Sequence, residues 1–136
     1  VVQSRVDVDP ANLAIVRQAM RDVVADPHGT AHYELYNLPW HVAGKTGTAQ
    51  VISMAQDSQG RDEPVYDHHR DHAWFIGFAP YEDPQVAIAV FVEHGGHGGS
   101  AAAPVAAAVI RTLAAKEQEQ KPAPPLQAKT PAEPHA

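Results

Sequence analysis

Near the start of the chain, apolar residues recur at helical spacing: Leu13, Val16, Met20 and the Val23/Val24 pair. Asp9 stands before them as an N-cap, and Pro10 suits a first helical position, where no N–H is needed. Asp26-Pro27 followed by Gly29 closes the element. The pattern predicts a helix with that apolar face turned to a sheet, and with Arg17 and Arg21 projecting elsewhere.

The periodicity then changes. "HVAGKTGTAQVIS", His41 to Ser53, has β-branched and small residues and no helical signature, and reads as a strand. "MAQDSQGRDEPVYDHHRD" is polar and without period, and a loop that long inside a compact domain is usually functional or mobile. "HAWFIGFAP" predicts a buried strand over Ala73 to Ala79, and "QVAIAVFVE" a second over Gln85 to Glu93. The short "YEDP" between them makes the pair an antiparallel hairpin. Gly95, Gly96, Gly98 and Gly99 let the chain turn into a helix from about Ala102 to Ala115. Its many alanines would let that helix lie close to the sheet, with Val105, Val109, Ile110 and Leu113 buried.

The order is helix, strand, long loop, hairpin, helix. It predicts an α+β domain with an antiparallel sheet flanked by helices, over residues 1–115. The tail over 116–136 is proline-rich, polar and aromatic-free, and is expected to be disordered. Three strands with a long helix at each end leave the sheet half covered, and the chain opens without methionine. Both features suggest a piece of a larger domain.

Composition narrows the chemistry. A formal charge of −6 with only 10 Lys+Arg, unclustered, argues against nucleic acid as a partner, because neutralising phosphates needs grouped cations. The absence of cysteine leaves the redox compartment unmarked. No apolar run approaches the length of a membrane span.

The most informative stretch is "WHVAGKTGTAQV". Gly44-Lys45-Thr46 resembles the end of a phosphate-binding loop, but the glycine required five residues before Gly44 is Pro39. The residues after Lys45 are β-type rather than helical, so no helix N-terminus would face the phosphates. The alternative is a carboxylate grip. Lys45 supplies positive charge, and Thr46 and Thr48 supply hydroxyl donors. Gly47 leaves the strand open to a ligand. Strand alternation sends Lys45 and Thr46 to opposite faces, so both can serve one ligand only at a sheet edge.

K-T-G-T on a strand resembles the third signature of the serine penicillin-binding proteins and β-lactamases. With "GTA" at Gly29–Ala31, "RDHAWFIGFAP" and "PQVAIAVFVEHG", the chain from about Asp9 to Leu113 is similar to the C-terminal part of a class B penicillin-binding protein transpeptidase domain. It looks most like the penicillin-binding protein 2 branch, which serves cell elongation. The resemblance implies the penicillin-binding/β-lactamase-like transpeptidase fold, with the K-T-G strand at an edge. It also implies a cofactor-free acyl transfer: a serine attacks the D-Ala-D-Ala bond of a peptidoglycan stem peptide, and the acyl group passes to a neighbouring amine. β-Lactams acylate the same serine.

Carried onto this chain, the resemblance makes Lys45 and Thr48 catalytic and Lys45, Thr46, Gly47 and Thr48 substrate-binding. Lys45 sustains the electrostatics, Thr46 and Thr48 hold the terminal carboxylate, the Thr48 N–H is one arm of the oxyanion hole, and Gly47 leaves room for the acyl group. The family also needs S-x-x-K and S-x-N, and none of Ser4, Ser53, Ser58 or Ser100 carries either pattern. The chain is therefore expected to be inactive alone, with the N-terminal half of the same protein as its partner. The resemblance further implies a membrane anchor, the periplasmic face of the inner membrane, and a SEDS-family glycosyltransferase as partner. Two other readings stay open. One is a noncatalytic module that binds muropeptides or β-lactams. The other is a metal-binding protein using His68, His69 and His72, against which the plainer role for His72 is a local hydrogen bond.

Overall fold

The computed structural model describes residues 7–51 and 70–120. Six regular elements appear there: α1 (Pro10–Ala25), α2 (His32–Leu35), β1 (Ala43–Ala49), β2 (His72–Ala79), β3 (Val86–Val92) and α3 (Ala103–Gln120). One π-helical turn over Gly98–Ala102 leads into α3. The loop expected before β2 lies outside the described residues except for Arg70 and Asp71, and so does the tail from 121 onward.

The strands form one antiparallel sheet in the order β1-β2-β3. β1 pairs with β2 so that Lys45 faces Ile76, Thr46 faces Phe75, Gly47 faces Trp74 and Thr48 faces Ala73. In the β2–β3 hairpin, Phe75 lies opposite Val90. Alternation gives the sheet two unlike faces. Ala73, Phe75, Gly77 and Ala79 of β2 are buried on the inner face, whereas Trp74 and Ile76 of the outer face are exposed. The inner core joins Phe75 and Val90 to Val24, Leu35, Val42 and Ile110. The expected half-covered sheet is thus present among the described residues.

α1 starts and stops where its signals stand: the Asp9 carboxylate accepts from Ala11 N at 2.7 Å, and Pro10 occupies the first position. Its predicted facing holds at the C-terminal end, where Val24 is buried and Val23 packs on the core, and fails in the first turns. Leu13 and Val16 are 50% and 54% exposed, and only Val24 is fully buried. The stripe that meets the sheet runs instead through Arg17, Arg21 and Val24. Arg17 Nη2 donates to Tyr81 O at 2.9 Å with its guanidinium 5.1 Å from the Phe78 ring centroid, and Arg21 reaches Val42 O at 3.5 Å. Long basic stems cover apolar surface while their planar heads cap strand-end carbonyls and stack on aromatics.

α3 buries Ile110 as predicted but turns its valines differently from expectation. Its buried residues are Ala103, Ala106, Ala107, Ile110 and Ala114, while Val105 and Val109 are 45% and 42% exposed. The small side chains face the sheet, where close approach is rewarded, and the valines face away. The helix runs to Gln120, so the first five residues of the expected tail are helical. Trp40 Nε1 donates to Glu117 across 3.1 Å and ties this extension to the segment before β1. Gly98–Gln120 is, by length and composition, apolar enough to cross a membrane, contrary to the expectation from the sequence. Alanine supplies that apolarity, and the alanine stripe is spent on the sheet.

Candidate functional site

Among the described residues β1 is an edge strand, and the candidate residues occupy its open half. Val42 to Gly44 are buried, whereas Lys45, Thr48 and Ala49 are exposed and Thr46 and Gly47 half-buried. Lys45 and Gly47 share the face of Ile76 and Trp74, and Thr46 and Thr48 share the inner face of Phe75 and Ala73. The lysine does not stay on its own face. Its Nζ curls to the strand margin and donates to Thr46 O at 2.6 Å.

That bond shows which way the backbone points. In an antiparallel ladder a residue's N–H and C=O point to the same side, and the side alternates along the strand. With the Thr46 carbonyl turned outward to Lys45, the Thr46 and Thr48 N–H groups also point outward, while Lys45 and Gly47 bond across to Ile76 and Trp74. The margin therefore presents an ammonium group and two backbone donors along one line.

The threonine hydroxyls open on the inner side into a cleft of about 550 Å³, lined by Thr30, Glu34, Thr46, Thr48, His97 and Ser100 among others. Thr30 Oγ1 and Thr46 Oγ1 are 2.7 Å apart and share a hydrogen bond. The floor is made by Gly98. A Cβ there would lie 2.3 Å from Trp74 O, 2.6 Å from Gly47 O and 2.8 Å from Gly47 N, so only glycine lets the π-helical turn rest on the β1–β2 ladder. The turn between β3 and that point is fixed from β2. His72 Nδ1 accepts from His94 N at 2.9 Å, and Gly96 N donates to Asp71 O at 2.8 Å. The role expected of His72 is a local hydrogen bond fixing the loop before β2; its ring bonds instead to the turn after β3, and that loop lies outside the described residues except for Arg70 and Asp71. Among the described residues no three His, Asp or Glu side chains converge to hold a metal, and His68 and His69 lie outside them.

Sequence reading overlooked Thr30 and Gly98. Each acts through a neighbour distant along the chain, and "GTA" carried only a family likeness. The turn before Thr30 has its own lock: Asp26 Oδ1 accepts from His28 N at 2.7 Å and meets His28 Nδ1 at 3.1 Å. First the His28 backbone N–H and then its imidazole hold the Asp26 carboxyl below its ordinary value. A lowered folded pKa contributes stability above the ordinary carboxylate range, and that contribution is lost as pH falls through the lowered value. Asp26→Asn should therefore reduce the melting temperature near neutral pH, with the deficit closing as the melts are taken into acid.

The model of the penicillin binding protein transpeptidase domain matches residues 1–111. The chain belongs to this transpeptidase family. The curated peptidoglycan D,D-transpeptidase MrdA of Salmonella typhimurium is 36% identical over 107 residues, which cover 77% of this chain and 17% of that protein. Penicillin-binding protein 2 of Pseudomonas aeruginosa superposes with a TM-score of 0.61 at 40% identity, over 82% of this chain and 20% of that one. Penicillin-binding protein A of Mycobacterium tuberculosis, as its ceftriaxone acyl-enzyme, superposes with a TM-score of 0.52 at 31% identity, over 80% of this chain and 22% of that one. The transpeptidase fold inferred from the K-T-G-T strand is thus the fold of this chain. It spans only about a fifth of the solved relatives.

Proposed function

We propose that this chain is the substrate-gripping part of a peptidoglycan D,D-transpeptidase of the penicillin-binding protein 2 type. The observation that carries the reading is the margin of β1, where Lys45 Nζ meets the Thr46 carbonyl and the Thr48 N–H points outward. In this reading the terminal carboxylate of a stem peptide, or of a β-lactam, lies against the Thr46 and Thr48 hydroxyls. Lys45 holds the field positive beside it. A serine from an S-x-x-K element elsewhere in the protein attacks the D-Ala-D-Ala carbonyl. The Thr48 N–H takes up the developing oxyanion, a contribution of about 3 kcal/mol per donor in comparable sites. D-Alanine leaves with its amine protonated, and the acyl group then passes from the serine oxygen to an amine of a neighbouring stem peptide.

Likeness to MrdA supports the remainder of the same protein as partner, a membrane anchor outside these residues and action on the periplasmic face. A SEDS-family glycosyltransferase alongside is proposed on the family resemblance of the K-T-G-T stretch and its surroundings alone.

The full-length gene product incubated with a fluorescent penicillin tests the proposal. A covalent adduct is expected on a serine outside residues 1–136. Reversible binding without an adduct would make the protein a noncatalytic sensor or binding module. No binding at all would remove the carboxylate grip.

A further inference from the structure

Thr30 stands outside the K-T-G-T strand, yet its hydroxyl is 2.7 Å from that of Thr46. Its position is set from two sides. Gly29 N donates to Asp26 O at 2.8 Å and Ala31 N to Val23 O at 3.2 Å, which fastens the turn to the end of α1. On the other side the π-helical turn presses against it: a Cβ on Gly99 would lie 2.3 Å from Thr30 O. The end of α1, β1 and the π-helical turn therefore meet at this residue, and the hydroxyl facing Thr46 is held rather than free to wander.

A threonine hydroxyl has one hydrogen to give and two lone pairs to receive with. If Thr46 gives its hydrogen to Thr30, it has none left for an anion. If Thr30 gives its hydrogen to Thr46, the Thr46 hydrogen is free to point into the cleft, and the bond it accepts makes it a stronger donor. We propose that Thr30 is a positioning residue that donates to Thr46 Oγ1 and so aims the Thr46 hydroxyl at the carboxylate of the bound peptide or β-lactam. This inference rests on the carboxylate grip proposed above. Thr30 itself does not touch the substrate. An anion entering the cleft sets the direction of both hydrogens, Thr30 to Thr46 and Thr46 to the anion.

The test compares a penicillin with its carboxylate ester on the full-length protein, measuring the second-order rate of serine acylation. Thr30→Val keeps the shape and removes the donor. It should slow acylation by the free acid about tenfold while changing the rate with the ester little. Thr30→Ser keeps the hydroxyl and should restore most of the rate. Equal losses with acid and ester, or failure of Thr30→Ser to recover the acid rate, would make Thr30 merely structural and overturn the inference. Thr46→Val separates the two levels. If it selectively slows the acid while Thr30→Val does not, the grip stands and the Thr30 role falls. If Thr46→Val leaves the acid rate intact, the grip itself has failed.

Discussion

Lys45→Ala in the full-length protein should slow acylation by penicillin about a thousandfold while leaving the fold in place. A unit charge about 4 Å from a carboxylate contributes roughly 4 kcal/mol at an effective dielectric near 20. At about 1.4 kcal/mol per decade, that is close to three decades of rate. The side chain is exposed, and its one hydrogen bond among the described residues goes to the next residue's carbonyl, so its removal leaves no buried partner unsatisfied there. A time course of fluorescent penicillin labelling gives the rate, and circular dichroism reports the fold. Lys45→Arg keeps the charge but spreads it over a planar fork, and should recover only part of the rate. An alanine variant that labels at the parental rate would show that the ammonium group serves no anion.

Gly98→Ala should destabilise the transpeptidase domain by about 3 kcal/mol, at the upper end of typical overpacking costs. Helix propensity alone argues the opposite, since alanine is about 1 kcal/mol better than glycine inside a helix. The contacts decide the sign. The added Cβ would lie 2.3 Å from Trp74 O and 2.6 Å from Gly47 O, and both are backbone atoms that cannot move without opening the ladder. The π-helical turn must therefore lift or β1 must shift. A shift of β1 displaces the outward Thr48 N–H, and a lifted turn reshapes the cleft beside Thr46 and Thr48, so the penicillin labelling rate should fall together with the thermal transition. A variant as stable as the parent would mean that the turn does not rest on the strand.

Much of the architecture can be read from local signals. Asp9-Pro10 and Asp26-Pro27 bracket α1, and the apolar runs "HAWFIGFA" and "VAIAVFV" on either side of the short "YEDP" mark the hairpin. These features act within a few residues, so the sequence carries them openly. Which way a helix faces is another matter. Apolar spacing pointed Leu13 and Val16 at the sheet, but the sheet-end carbonyls and the Phe78 ring drew Arg17 and Arg21 there. In α3 the larger residues Val105 and Val109 were expected inside, yet close packing selected the alanines. α2 has only four residues, too few for a period to show.

The K-T-G-T tetrapeptide was legible as a candidate carboxylate grip, and its place at the margin of the sheet among the described residues meets the requirement for Lys45 and Thr46 to serve one ligand. Its supports were not legible. Thr30 lies 16 residues before Thr46 and Gly98 lies 51 after Gly47, and no local pattern announces either approach.

The outer margin of β3 has a consequence for handling this polypeptide in isolation. Among the described residues it pairs only with β2, leaving one row of amide and carbonyl groups unmatched along Val86–Val92. Those seven residues contain neither charge nor proline, the usual safeguards of an unprotected strand. Left uncovered, such a margin recruits its own kind, and insolubility rather than loss of helices would be the first symptom.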